Sequence, residues 1–277
     1  MQVIWNPHTL LGTALFLPLH NSVAELAAIS PQNEQQLPLP ADCNQLLTKL
    51  SRPVVALSGK PVRFVPPIAD DNESTNRYEP RVYEHGEVQT RENSWHDLFN
   101  ALVWVRFPRA KAAINARHIE QQKLHGLQAT RSAAQDAMTL FDESGVIVAC
   151  SDPSLSQLLL QHEWKKLFWD HREDVLTHMR FYIFGHALYE KALQPYAAMT
   201  GKVSVFSVCK NSHLNQIDTQ LAELDNLLSA RLMHEIKAAK DFSPLPIMGV
   251  PGWCDANEVE SFYDNKDIFR PARKMVL

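Results

Sequence analysis

The chain has 277 residues, enough for one large domain or two small ones. Hydrophobic residues make up 45% and charged residues 21%, a balance that excludes a disordered chain. With 27 Lys and Arg against 31 Asp and Glu, the formal charge of -4 argues against a generally basic nucleic-acid binder, and only 9 glycines argue against Gly-rich repeats and dinucleotide-binding loops.

Residues 1–52 read as a helical, broken N-terminal segment. The apolar run 9–19 is too short for a bilayer, which takes about 20 apolar residues. No Lys or Arg precedes Lys49 to make it a leader, so it reads as core. Asn21 and Ser22 are candidate caps for a helix through Ile29. Residues 53–65 read as strand, Ser58-Gly59-Lys60 turn and strand, and 81–89 as a second hairpin turning at His85-Gly86. Between them, 67–77 carries Asp70, Asp71, Asn72, Glu73 and Ser74 in succession and reads as a surface loop.

Asn93 or Ser94 caps a helix over 95–105, with Trp95, Leu98, Phe99, Leu102 and Val103 on one face. Pro108 starts a second helix, to about His118. Residues 137–150 read as a hairpin turning on Asp142-Glu143-Ser144-Gly145. Helices follow over 154–170 and 173–193, then a strand over 202–208. A long amphipathic helix over 214–237 carries Leu214, Ile217, Leu221, Leu224, Leu228 and Leu232 as a core stripe, or alternatively as a homodimer contact. Residues 244–277 read as an ordered C-terminal wrap. The expected fold is α+β: a single domain over 1–277, of long helices with several β-hairpins forming a mixed or antiparallel sheet. The four cysteines lie at least 45 residues apart with no CxxC pair, which suits free thiols in a reducing cytosol. With no window of membrane length, the expectation is a cytoplasmic protein without a membrane partner.

Two helical segments hold the candidate chemistry. His96 and Asn100 are four apart and share a helix face, with Asp97 farther round. His and carboxylate side chains are common metal ligands, so His96, Asp97 and His186 form the candidate set for a divalent metal. Arg106, Arg109, Lys111 and Arg117 meet no acid between 98 and 119, and a phosphate or carboxylate would suit them. On the expected 173–193 helix, Asp174, His178, Tyr182, His186 and Glu190 are each four apart and form one polar stripe. A buried polar stripe needs partners, which the edge of the 95–105 helix would supply. Phe181, Phe184 and Leu188 on that helix should be buried. Asp136, Asp142 and Glu143 would serve as ligands or bases only with partners from those two helices, and acids are common in turns. Arg270 stands in apolar company and, if buried, wants an anionic partner.

No Walker A, GxGxxG, GxSxG or HExxH motif occurs, which disfavours P-loop, Rossmann, α/β-hydrolase and zincin chemistry. The strings TRENSWHDLFNALVWVRFPRAKAAINARH (90–118), DAMTLFDESG (136–145), FGHALYEKAL (184–193), LPIMGVPGW (245–253) and FYDNKDIFRP (262–271) are similar to those of a proteobacterial family that carries only an unknown-function label. The resemblance covers residues 60–277. It implies a single bacterial domain and transfers no functional residue. The residues themselves point to a metal-assisted or acid-base hydrolase for a small phosphorylated or anionic substrate. In that reading His96, Asp97, His186 and Glu190 do the chemistry, and Asn100, Arg109, Lys111 and Arg270 bind substrate. The alternative is a non-catalytic protein that uses its basic 106–117 face for RNA, a nucleotide or an acidic partner.

Overall fold

The apolar N-terminal run is core, as its composition demands. α1 (Pro7–Leu11), a 3-10 turn over Ala14–Leu19, α2 (His20–Ile29) and α3 (Pro40–Thr48) bury Leu10, Leu15, Phe16, Leu19 and Leu46. The computed structural model describes residues 5–30, 36–67, 77–126, 130–209 and 216–272, and one apolar cluster runs through them from Trp5 to Phe269. Most of the loop expected over 67–77 lies outside the described residues. Residues 54–62 make the expected turn, with Gly59 at φ 84° and a Val55–Pro61 bridge. β1 (Arg63–Val65) then leaves that hairpin. The hairpin expected over 81–89 is instead α4 (Tyr78–His85), ended by Gly86 at φ 72°, followed by β2 (Glu87–Gln89), which pairs in parallel with β1. A left-handed glycine ends helices as readily as it turns hairpins.

Ser94 caps α5 (Trp95–Arg106), its hydroxyl accepting from the Asp97 N–H at 3.2 Å. α6 (Pro108–His125) begins at its proline as expected but runs about two turns past His118. The expected 137–150 hairpin is a helix leading into a strand. α7 (Ala133–Ser144) opens on a Ser132–Gln135 capping box, and Ala134, Ala137, Met138 and Phe141 are buried at helical spacing. The Asp-Glu-Ser-Gly run is its last turn.

β3 (Gly145–Cys150) is buried at all six positions and forms the centre of the main sheet. A strand covered on both faces is a continuous apolar run rather than an alternating one. α8 (Pro153–Leu160) and a π-type turn over Lys166–Asp170 replace the continuous 154–170 helix, with His162 at φ 59° between them. The 173–193 helix is likewise divided into α9 (Arg172–His178), β4 (Met179–Ile183) and α10 (His186–Ala192). Apolar residues on all sides fit a buried strand as well as a buried helix, and Gly185 marks the break. Phe181, Phe184 and Leu188 are buried as expected, but the five-residue polar stripe does not exist. Asp174 pairs with His171, His178 meets Ser151, and Tyr182 donates to Gln220.

β5 (Thr200–Ser207) pairs in parallel with β3 and antiparallel with β6 (Ser243–Pro246), giving a mixed sheet of order β4-β3-β5-β6 in an α+β fold. Between them α11 (Ile217–His234) packs on α6, with Leu221, Leu224, Leu228 and Leu232 buried in the chain's own core. Those leucines therefore offer no seam for the homodimer considered above. The C-terminal segment up to residue 272 is built of short 3-10 turns, with Tyr263 donating to the Gly249 carbonyl at 3.0 Å; the last residues of the wrap expected over 244–277 lie outside the described residues. No helix among the described residues is long and apolar enough to cross a membrane.

Gly185 joins β4 to α10 against the end of α7. A Cβ there would lie 2.5 Å from both the Glu143 carbonyl oxygen and the Ser144 nitrogen. Gly185→Ala should therefore lower stability by about 1–3 kcal/mol in urea unfolding through overpacking. A loss below about 0.5 kcal/mol, the range of an unconstrained surface change, would contradict this packing.

Candidate metal centre

Three helix ends meet at one point. His96 lies in the first turn of α5, His186 opens α10, and Asp142 and Glu143 close α7. The two imidazoles stand edge to face with ring centroids 4.4 Å apart, and their Nε2 atoms are 3.1 Å apart. Glu143 Oε1 is 3.7 Å from His186 Nε2, and one ligand-type atom each from His96, Glu143 and His186 falls within 4.8 Å of the others. Behind each ring is a carboxylate. Glu190 Oε2 is within hydrogen-bond distance of His96 Nδ1 at 3.3 Å, whereas Asp142 Oδ2 stands 3.8 Å from His186 Nδ1, which is buried without a hydrogen-bond partner among the described residues.

Under the centre lies an ion pair. Lys111, 2% exposed, places Nζ 2.5 Å from Asp142 Oδ1 and 2.8 Å from Asn100 Oδ1. Burial raises the Asp142 carboxyl, but Lys111, His186 and His118 outweigh it and hold Asp142 below the ordinary range. Glu143 is pushed up, mainly by burial and then by Asp142, against the pull of His96 and Lys111. Asp97 is turned away from the centre. Its carboxylate takes the Arg91 backbone N–H at 2.7 Å and two guanidinium N–H groups at 2.9 Å. Burial alone would raise it, yet Arg91 holds it lowered.

The centre opens on a cavity of about 680 Å³, of ligand size. Its wall includes His96, Asp97, Asn100 and His186, together with Asp142, Glu143 and Tyr78. Arg77, Arg91 and Arg131 also line it.

Against the sequence expectations, His96 and His186 converge and Glu190 stands behind His96. Asp97 reaches the cavity wall with its carboxylate committed to Arg91, and Glu143 occupies the place expected for it among the ligands. Lys111 is buried below the wall rather than at a rim. Arg109 has an exposed side chain outside the cavity, and its backbone N–H donates to Asp225. Arg270 is exposed on the C-terminal segment, donating to the Asp267 carbonyl, so it is neither buried nor part of the cavity. The basic 106–117 strip is not a free face, because Arg106 pairs with Asp218, Lys111 with Asp142 and Arg117 with Glu120. Tyr78 carries no signal in the sequence, and Glu143 meets the condition set for it there, partners from the segments that bear His96 and His186.

A model for a protein family of unknown function, DUF3025, matches residues 62–273. The chain belongs to this family. No curated protein and no solved structure matches it. The DUF3025 match contains every residue of the centre, while α1 to α3 precede it.

Burial pushes the His186 imidazole down to about 4, with Lys111 and His96 adding to the effect and Asp142 opposing it. An unfolded histidine titrates near 6.5. Between those values the unfolded chain binds a proton that the folded chain does not. Stability should therefore rise with pH from about 4 to about 6.5 and be complete above that. Glu143, with its raised pKa, works in the opposite direction, so the difference between proteins is the readout. In chelator-treated protein, His186→Gln should flatten the rise between pH 4.5 and 7 in urea unfolding. An unchanged slope would show that His186 is not held neutral by the fold.

Proposed function

We propose that this chain is a metal-dependent hydrolase, with a divalent ion held by His96 Nε2, His186 Nε2 and Glu143. The observation that carries the reading is the convergence of ligand atoms of His96, His186 and Glu143 within 4.8 Å of one another at the cavity wall, with the two Nε2 atoms 3.1 Å apart. At His96 the Glu190 carboxylate holds the proton on Nδ1 and leaves the Nε2 electron pair facing inward. Without an ion, neutral His186 bridges the gap by donating its Nε2–H to that electron pair; a divalent ion would displace this proton and take both nitrogens. Two imidazoles on one zinc, with bonds of about 2.0–2.1 Å near the tetrahedral angle, place their nitrogens about 3.3 Å apart.

Two histidines and one carboxylate leave coordination positions open, the pattern of catalytic rather than structural sites. Here the open side faces the cavity. An ion so held would lower the pKa of a bound water and polarise a substrate oxygen. The ion itself, with the exposed Arg131 in the wall, would suit a small phosphorylated or anionic substrate. Glu190 and Asp142 would act through the imidazoles by orienting them, and Lys111 through Asp142.

Zinc competition against a chromophoric chelator tests this. The protein should take up one equivalent, and His96→Ala and His186→Ala should weaken it at least about 100-fold. Glu190→Gln should weaken it about 10- to 100-fold, the usual effect of a partner behind a ligand. Asp97→Asn should keep full affinity. Hydrolysis of p-nitrophenyl phosphate or acetate should follow zinc content. Failure of the folded wild-type chain to bind zinc, or equal loss in Asp97→Asn and His186→Ala, would overturn the reading.

A further inference from the structure

Tyr78 opens α4, and its side chain lies in the wall of the cavity that His96 and His186 share. Its oxygen is 3.0 Å from Asn100 Nδ2. The direction of that bond is dictated from below. Lys111 Nζ is 2.8 Å from the other end of the Asn100 amide, and an ammonium donates hydrogen bonds without accepting any. Asn100 must therefore turn its oxygen to Lys111 and its NH2 to Tyr78. The Tyr78 oxygen is thus an acceptor from Asn100. The Trp104 indole N–H, another donor, also faces that oxygen, though not in hydrogen-bond geometry. Among the described residues no acceptor takes the Tyr78 proton, and Tyr78 and its partner Asn100 both line the cavity. Asn100 is one helical turn from His96, so the residue that holds Tyr78 and one of the proposed ligands are neighbours on α5.

We propose that Tyr78 is a further catalytic residue, an O–H donor to the substrate oxygen on which negative charge develops, with Asn100 as its positioning residue. This rests on the hydrolase reading above. When water adds to a carbonyl or phosphoryl centre, the bond from the attacking oxygen forms and an electron pair moves onto the substrate oxygen. Tyr78 donates a hydrogen bond to that oxygen and keeps its proton. The bond to the leaving group then breaks, and the leaving group departs with a proton from the attacking water. Such a donor is worth most where water is excluded. Burial, with Glu79 and Asp142 nearby, raises the Tyr78 pKa and keeps the hydroxyl protonated. The ligands it fits share one feature, an oxygen that bears or gains negative charge on phosphorus or carbon.

Binding isotherms of inorganic phosphate and acetohydroxamate to the full chain, with and without zinc, test the proposal without needing turnover. Tyr78→Phe should remain cooperatively folded and bind zinc like the wild type, yet lose at least about tenfold in affinity for one of the two probes. The probe affected tells phosphoryl from acyl substrates. Asn100→Asp reverses the hydrogen bond, because a carboxylate accepts the Tyr78 proton and withdraws it from the cavity. It should weaken the same probe, and far less so when added to Tyr78→Phe. A purely electrostatic effect of the new charge would persist in the double variant and would overturn the positioning role. Equal affinity of Tyr78→Phe and wild type, or no binding of either probe to the wild type, would overturn the donor role. If the wild type binds no zinc but binds a probe in a Tyr78-dependent way, the metal reading fails and the donor stands.

Discussion

The contact on which the centre depends is the ion pair of Lys111 and Asp142. It lies under the cavity and ties α6 to the end of α7. Through Asn100 the same ammonium reaches α5, and through its second oxygen Asp142 faces His186 at the start of α10. Four helices are thus held in register by one lysine. A buried pair of this kind gains little net stability, since desolvation offsets most of its attraction. What it contributes is position. It keeps Asp142 ionised behind His186 and fixes which way the Asn100 amide points.

Packing supplies the other constraint. Gly185 lets the start of α10 touch the end of α7, so that His186 follows Glu143 closely in space although they are far apart in the chain. On α5, Ser94 caps the helix and Asp97 is bound to Arg91, which anchors the turn that bears His96. The site is assembled from helix termini, with Glu190 at His96 Nδ1 and the Asp142–Lys111 pair beside His186. Supporting contacts of this kind give a binding constellation its geometry.

Some of this was legible in the sequence. The α5 helix announces itself through the Ser94 cap and an apolar face at helical spacing, and Pro108 marks the next start. Burial of Phe181, Phe184 and Leu188 follows from their apolar surroundings. The pairing of His96 with His186 also emerged, though from a polar stripe on a helix that is really helix, strand and helix. Residues 181–184 are aromatic or aliphatic in succession, and periodicity alone does not separate a buried strand from a buried helix. The last turn of α7 was misread because Asp-Glu-Ser-Gly serves equally as a hairpin turn and a helix end. Glu143 stands in the sequence as a ligand conditional on partners from the two helices, and His96 and His186 are those partners; Asp97, the carboxylate the sequence favours, is bound to Arg91. Arg109 and Arg270 were chosen by charge, and charge does not say which way a side chain faces. Tyr78 was invisible, because its role depends on a hydrogen-bond direction set by Lys111 on another helix.

The account stands on a cation between two imidazoles, and X-ray absorption at the zinc edge of the reconstituted full-length protein reads that directly. It predicts one zinc per chain, with two imidazole nitrogens and the remaining positions filled by oxygen, at about 2.0–2.2 Å. His96→Ala and His186→Ala should each remove one imidazole from the spectrum. A spectrum without histidine scattering, or one unchanged in both variants, would contradict it.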